Sequence, residues 1–365
     1  MGFESGAIGF RMYYLPSGLP RDHVARFARH ALPPLDTLGR EPLTGWVTGR
    51  HLLDRRVVEE SCRPAGYLRL TLARAERKIP EALLRAECAM EELAELQASG
   101  LDIVPRARRT EIRRSLVERL LPTMPPTLSG IPWVFDEEGG VLYAGATSDK
   151  QSDAFVIAFR HTAGVAPVPV TPEVAALKRS QLNARDLSPT SFSDELDDKL
   201  AGDNLGMDFL TWLWFYSEAR GGTLASDQGE FAVAVEGPLM FVMEGEGAHV
   251  ALLRKGAPQL SAEARTSLVS GKKLARARIT LARGEMSWSF NLDAPSLVLR
   301  GVKLPKEDGL DAISRFHGRM LMLAALRDAL FAFFDAFNAE RFSAKVWPRT
   351  RDDMRRWARD RAGKI

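Results

Sequence analysis

The sequence has few cysteines and no apolar run long enough to cross a membrane. Its 365 residues include only Cys62 and Cys88, too few for the disulfide framework of small secreted proteins or for a four-cysteine zinc site. Apolar stretches such as residues 209–216 and 320–334 are short or interrupted by charge. No basic segment followed by an apolar one stands near the first residue. We therefore expect a soluble, cytoplasmic protein with no membrane partner.

Motifs for nucleotide or metal chemistry are also missing. The chain has no phosphate-binding loop of the form GxxxxGK[ST], and its six histidines are scattered without metal-ligand spacing. The one dense acidic set, Asp194, Glu195, Asp197 and Asp198, lies among serines in a segment typical of a linker or a helix cap. A metal-dependent nuclease would need converging carboxylates. We therefore predict no catalytic residues, no metal, no cofactor and no enzyme activity, with metal-dependent DNA exonuclease kept as the alternative.

The first half of the chain combines strand patterns with one strongly helical stretch. Residues 80–122 predict two helices that form a hairpin, the first beginning after Pro80 and the second lying between Pro105 and Pro122. Leu83, Ala86, Met90 and Leu93 are the expected apolar face of the first helix. Because strand patterns flank this stretch, the hairpin is predicted to be inserted into an α/β unit and to project from it.

The second half contains strand patterns followed by a helix near residues 311–339 and a basic tail. A proline- and serine-rich stretch separates the two halves. The expected fold is α+β, with two α/β units that have antiparallel or mixed sheets. We place the first unit, with its helical hairpin, at residues 1–175, and the second, with the C-terminal helix and tail, at residues 176–365. The aromatic segment 209–216 is expected to lie in a core or a subunit contact.

The net charge of +3 hides an uneven distribution. Residues 101–121, 254–283 and 341–365 carry +3, +7 and +6, so the rest of the chain carries −13. Strand geometry places Arg276 and Arg278 on one face and the apolar residues between them on the other. Arrays of this kind can bind nucleic-acid phosphates, although a basic run is also typical of an ordinary solvated face.

Several short segments, in their order along the chain, resemble a known family. They are GWV at Gly45, ARAERKIP, ERLLP at 118–122, IPWVFDEEGGVLYAGATSDK, LTWLW and LVLRGVKLP. Together they resemble the RdgC family of bacterial recombination-associated proteins. One departure is Pro125, which stands about where members of that family have an aromatic residue at the hairpin end.

The resemblance implies a ring- or clamp-like homodimer that binds double-stranded DNA without sequence preference. It also implies restraint of RecA-driven recombination through competition for DNA, and a nucleoid location. Family positions that line the ring match Arg106, Arg108, Arg109, Lys255 and Lys272, and Lys78 matches a basic position at the base of the hairpin. The DNA-binding residues that we predict from the resemblance and the charge pattern together are Lys78, Arg106, Arg108, Arg109, Arg113, Lys255, Lys272, Lys273, Arg276 and Arg278. A protein-interaction scaffold with a recruiting basic tail is a third hypothesis.

Overall fold

The computed structural model describes residues 2–226, 228–243, 249–306 and 311–360, which form twelve strands and ten α-helices. The strands are β1 Ile8–Tyr14, β2 Leu43–Thr48, β3 Leu68–Arg77, β4 Pro126–Asp136, β5 Val141–Ala144, β6 Val168–Pro169, β7 Thr223–Ser226, β8 Gly229–Val242, β9 Val250–Leu253, β10 Lys273–Arg283, β11 Met286–Asp293 and β12 Val298–Lys303. The helices are α1 His23–Arg29, α2 Glu59–Cys62, α3 Glu81–Ser99, α4 Arg106–Leu120, α5 Asp149–Ala163, α6 Pro172–Ser180, α7 Leu205–Ala219, α8 Ala262–Val269, α9 Ala312–Arg341 and α10 Trp347–Asp360. The α+β class and the C-terminal helix are confirmed.

The chain divides into two compact units that do not follow the predicted division at residue 175. Unit 1 comprises residues 1–20, 63–69 and 132–365, and unit 2 comprises residues 21–62 and 70–131. The reason lies in strand pairing within unit 1, where β1 pairs with β12 as well as with β5 and β6. The N-terminal strand therefore belongs to the same unit as the C-terminal half of the chain.

Unit 1 is built on an antiparallel sheet. Its strands follow the order β5, β1, β12, β11, β10, β8 and β7, with β6 paired to β1 and β9 paired to β8. The end of β4 pairs with β5 from Trp133 to Asp136. The predicted strands of the second half are present. A short helix, α8, lies between β9 and β10 in the chain.

The core of unit 1 contains the aromatic helix α7. Trp212 and Trp214 are fully buried, and the ring of Phe209 meets that of Phe334 on α9 edge-on at 5.1 Å. Within this chain the aromatic segment is therefore core, as expected. Burial of these large rings is a main favourable contribution to the folding of unit 1.

Unit 2 contains the β2–β3 pair and helices α1 to α4. The ring of Phe27 on α1 packs edge-on against Trp46 on β2 at 4.9 Å. The neighbouring Gly45 lets the backbone at Leu32 pass close to β2, because a Cβ atom at position 45 would lie 2.5 Å from the backbone of Leu32. The GWV segment thus contains a glycine that allows a close backbone crossing, followed by a buried tryptophan.

Helices α3 and α4 occupy the stretch predicted to be helical. Gly100 ends α3 in the left-handed conformation at φ 68°, and Pro105 precedes the first residue of α4. The two helices pack through a small cluster of buried side chains, Leu84, Val104, Ile112 and Leu116.

The apolar face of α3 was predicted wrongly. Leu83, Ala86, Met90 and Leu93 are exposed, whereas Leu84, Cys88 and Leu96 pack toward the α3–α4 cluster. Alpha-helical spacing of apolar residues fits both rows, since Leu83 and Leu84 begin rows one position apart. Only packing against α4 distinguishes them.

Among the described residues, no helix is both long enough and apolar enough to cross a membrane.

Candidate nucleic-acid interface

The open face of the unit 1 sheet carries a row of arginines. Along β10, Leu274, Ala277, Ile279 and Leu281 are buried while Arg276 and Arg278 are exposed, which confirms the predicted alternation. The register places Arg276 between Met240 of β8 and Asp293 of β11, and Arg278 between Glu236 of β8 and Asn291 of β11. The smaller side chains of Ala234 and Ser289 lie farther along the same face, opposite Thr280.

Strand register extends the basic row to β12. Arg278 lies opposite Asn291, and Asn291 lies opposite Arg300. Arg300 and Lys303 share this face, although they are three positions apart, because the β11–β12 register shifts at this point and Gly301 has φ 60°. We name Arg276, Arg278, Arg300 and Lys303 the sheet arginine face, counting its single lysine with it.

Arg300 and Lys303 are absent from the DNA-binding residues predicted from the sequence. Both lie outside the basic windows, and an irregularity in the strand hides their shared face. The signal that could have found them is the glycine between two basic residues in LVLRGVK, since glycine inside a strand pattern often marks a bulge.

Acidic neighbours partly neutralise the sheet arginine face. Arg276 forms an ion pair with Asp293 at 2.6 Å, and Arg300 lies 3.9 Å from the same carboxylate. Thr280 donates a hydrogen bond to Glu236 at 3.3 Å. Among the described residues, Arg278 has no acidic side chain within ion-pair distance. The face carries four cations against Asp293 and Glu236, so a net positive charge remains.

The three lysines predicted near this strand have different environments. Lys255 is exposed after β9, and Lys272 is half-buried just before β10. Lys273 must be removed from the predicted DNA-binding set, because its ammonium is buried and lies 2.6 Å from the buried carboxylate of Asp208. Arg341 lies 3.3 Å from the other oxygen of that carboxylate. A lysine held in this way is not available to a phosphate.

In unit 2, all five predicted basic residues are exposed, but several are paired. Arg108 contacts Glu95 and Glu111, each at 2.9 Å, and Lys78 contacts Glu76 at 2.5 Å. The hydrogen bond from Arg108 lowers the pKa of the Glu95 carboxyl. Arg113 lies 3.5 Å from Glu81.

Arg106 and Arg109 line a groove between α3 and α4. The groove has a volume of about 610 Å³, and its walls include Arg85, Cys88 and Arg113. Arg109 donates to the backbone oxygen of Val104 at 3.0 Å, whereas Arg106 has no ion pair within the described ranges. Arg85 was missed because it lies outside the window in which arginines were counted.

The acidic run and the basic C-terminal segment are partners in the structure. Asp198 accepts hydrogen bonds from Arg351 and Arg355 at 2.7 Å each, and Asp194 from Arg359 at 3.0 Å. The segment 341–365 was predicted to be a basic tail, but residues 347–360 form helix α10. Trp347, Met354 and Ala358 are buried in the core of unit 1.

The described part of the chain contains no group of three or more histidine, cysteine, aspartate or glutamate side chains placed to hold a metal ion. The Asp198 carboxylate also accepts from the backbone nitrogen of Ser191 at 2.7 Å. Asp197 accepts from the backbone nitrogen of Lys199 at 2.9 Å. In this structure both carboxylates therefore bind protein donors.

Part of the sequence matches a known protein family. Residues 25–182 match the family model described as "RdgC: Putative exonuclease, RdgC". No curated protein matches the sequence. The matched range includes Lys78 and the arginines of α4, whereas the sheet arginine face lies beyond it. The match confirms the resemblance seen in the short segments and supports a DNA-related protein associated with recombination. Residues 25–182, a little under half of this chain, therefore match the RdgC family.

Proposed function

We propose that this protein binds double-stranded DNA without sequence preference and restrains RecA-mediated recombination by occupying the DNA. The observation that carries the proposal is the sheet arginine face, where four cations outnumber the two acidic neighbours Asp293 and Glu236. Arginine and lysine bind phosphate oxygens, and release of counterions then supplies affinity that does not depend on base sequence.

The arrangement favours phosphate contacts over base reading. Guanidinium groups on an open sheet can approach a phosphate backbone, and the neighbouring Ser289 and Asn291 can donate further hydrogen bonds to it. The groove basics of unit 2 provide a second set of cations. Arg106 is the most available of these cations, because it forms no ion pair within the described residues.

Salt dependence tests the binding proposal. Fluorescence anisotropy with two labelled duplexes of unrelated sequence should give equal affinities at each salt concentration. If about six phosphates are neutralised, log K should fall against log salt with a slope near −5. Affinity that does not change with salt, or that differs strongly between the duplexes, would contradict the proposal.

The proposal includes a homodimer that encloses DNA as a ring or clamp in the nucleoid, in keeping with the family. Sedimentation of the free protein should give twice the monomer mass. Binding to closed circular duplex should then survive a high-salt wash that removes the protein from linear duplex of the same sequence. Equal loss from both substrates would argue against enclosure.

Restraint of RecA predicts a concentration-dependent loss of RecA-driven strand exchange. The inhibition should weaken when carrier duplex is added, because competition for DNA is the proposed cause. Inhibition that persists with excess carrier duplex would indicate a direct contact with RecA instead.

The description of the matched family makes metal-dependent exonuclease the second candidate. End-labelled linear duplex incubated with Mg²⁺ or Mn²⁺ should keep its label under our proposal. Release of label that disappears with Asp197→Asn and Asp198→Asn would establish the nuclease. The single Asp197→Asn variant separates loss of chemistry from loss of the Asp198 ion pairs.

A further inference from the structure

Helix α10 carries a row of three arginines that is already bound to carboxylates. Arg351, Arg355 and Arg359 are spaced four residues apart, so they follow one line along the helix with about 6 Å between neighbouring Cβ atoms. The Arg351 and Arg355 guanidinium groups meet the two oxygens of Asp198 at 2.7 Å each, and Arg359 meets Asp194 at 3.0 Å. We name these three residues the α10 arginine row.

The carboxylates come from a segment more than 150 residues earlier in the chain. Residues 194–200, which we name the acidic tip, contain Asp194, Glu195, Asp197 and Asp198 and the single cation Lys199. The tip follows a buried anchor, since Ser191, Phe192 and Ser193 are inaccessible to solvent. Its own side chains are exposed or half-buried. Two hydrogen bonds join the tip to the anchor: Asp198 accepts from the backbone nitrogen of Ser191 at 2.7 Å, and the backbone nitrogen of Glu195 donates to the Ser193 hydroxyl at 2.9 Å.

The ion pairs that hold the tip are not deeply buried. The side chains of Arg359 and Asp194 are 60% and 53% exposed, and an exposed pair of this kind contributes less than about 1 kcal/mol. Arg351 and Asp198 are about three-tenths exposed. Helix α10 does not depend on the tip for its position, because Trp347, Met354 and Ala358 anchor it in the core. Loss of the Asp194 and Asp198 carboxylates would leave the arginine row in place on α10. Arg351 would still lie beside Asp352 and Arg359 beside Asp360, and Arg355 would still donate to the backbone oxygen of Ser191.

We propose that the α10 arginine row is a latent phosphate-binding surface, and that the acidic tip is its intramolecular competitor. Carboxylate and phosphate offer the same paired oxygens to a guanidinium group, so one can replace the other. The ligand is the phosphate backbone of duplex DNA, which is the respect in which this inference rests on the proposed function. In the resting protein the tip keeps three arginines out of the DNA-binding set.

Neutralising the tip tests the proposal. Asp194→Asn with Asp198→Asn should increase duplex affinity at low salt and steepen the slope of log K against log salt by about 2.7, the value expected for three additional phosphates. Glu195→Gln is the matched control. It removes one negative charge from the same tip, as Asp194→Asn alone does, but Glu195 has no ion pair among the described residues. Its slope should remain that of the wild type.

A second variant protects the test against misfolding. Asp194→Asn alone releases only the exposed Arg359 from the tip, and the remaining Asp360 lies 3.6 Å from that guanidinium group. The fold should be unaffected, and the slope should steepen by about 1. Adding Arg351→Gln, Arg355→Gln and Arg359→Gln to the double variant should abolish its gain. If a folded Asp194→Asn variant shows the same slope as Glu195→Gln, the proposal is overturned.

Failure of this inference can be distinguished from failure of the proposed function. In a protein that also carries Arg276→Gln and Arg278→Gln, tip neutralisation should still steepen the slope. A gain there, with no effect of the two strand substitutions alone, would support the latent row and contradict the role of the sheet. If the strand substitutions reduce duplex affinity and the tip variants do not change the slope, the role of the sheet is supported and the latent row is contradicted.

Discussion

The segments around strand β10 and helix α10 are almost equally basic in sequence but differ in the availability of their charge. The segments that contain them carry +7 and +6. Arg278 on the strand faces solvent without an acidic partner among the described residues. Arg351 and Arg355 on the helix share the carboxylate of Asp198. The difference arises from tertiary structure, because the neutralising acids lie far away along the chain.

Local charge counting therefore measures the cations that a segment has, and not the cations that it can offer. Lys273 and Arg278 show the same contrast within one strand. Lys273 is buried against Asp208, while Arg278, five residues on, is exposed and has no ion pair among the described residues. A net-charge argument for nucleic-acid binding becomes specific only once ion pairs and exposure are known.

The largest expected effect is on the buried end of β10. Asp208→Ala would leave Lys273 and Arg341 as buried cations without their shared partner. Loss of one partner from a buried ion pair costs about 3–5 kcal/mol of the free energy of unfolding. Urea denaturation measures this loss. A change below about 1 kcal/mol would show that Lys273 can reach solvent after all and could return to the DNA-binding set.

A similar loss is expected on the helix side. Trp347→Ala removes a buried ring that packs edge-on against Phe337 at 6.1 Å, and Trp-to-Ala changes in cores cost about 3–5 kcal/mol. Thermal or urea unfolding of the full chain checks this. Unchanged stability would mean that α10 behaves as a free tail. For the same reason, deletion of residues 345–365 would remove core packing together with charge, so charge substitutions test the scaffold hypothesis more cleanly.

The smallest expected effect distinguishes Arg106 from Arg108, which lie close together on α4. Arg106→Gln should make the salt slope of duplex binding shallower by about 1, because a free cation can neutralise one phosphate. Arg108→Gln should change the slope little, since Glu95 and Glu111 already bind that guanidinium group. Anisotropy titrations of both variants provide the comparison. Equal slopes would show that DNA displaces the glutamates.

Much of the fold could be predicted from local patterns. The alternation along β10, the helices on either side of Gly100 and the long C-terminal helix follow from spacing and capping residues. The limits of the two units could not be predicted, because they depend on the pairing of β1 with β12, and local sequence does not record that pairing. The buried row of α3 depends in the same way on packing against α4.

The candidate site was predictable only in part. Arg276 and Arg278 were found because one strand period exposes both side chains. Arg300 and Lys303 were hidden by the irregularity at Gly301, and the burial of Lys273 depends on Asp208, 65 positions earlier in the chain. The arginines of α10 were counted correctly as charges, but their acidic partners could not be identified from spacing.

The most direct test of the central claim compares the two basic segments in one experiment. Arg276→Gln with Arg278→Gln, and Arg351→Gln with Arg355→Gln, each remove two positive charges from unit 1. Lys150→Gln with Arg160→Gln, two exposed cations on α5, controls for the loss of two charges alone. We predict that the strand pair makes the salt slope of duplex binding shallower by about 1, through loss of Arg278, because Arg276 is already paired with Asp293. The helix pair should leave the slope close to the wild-type value. Equal changes from both pairs, or a larger change from the helix pair, would contradict the account.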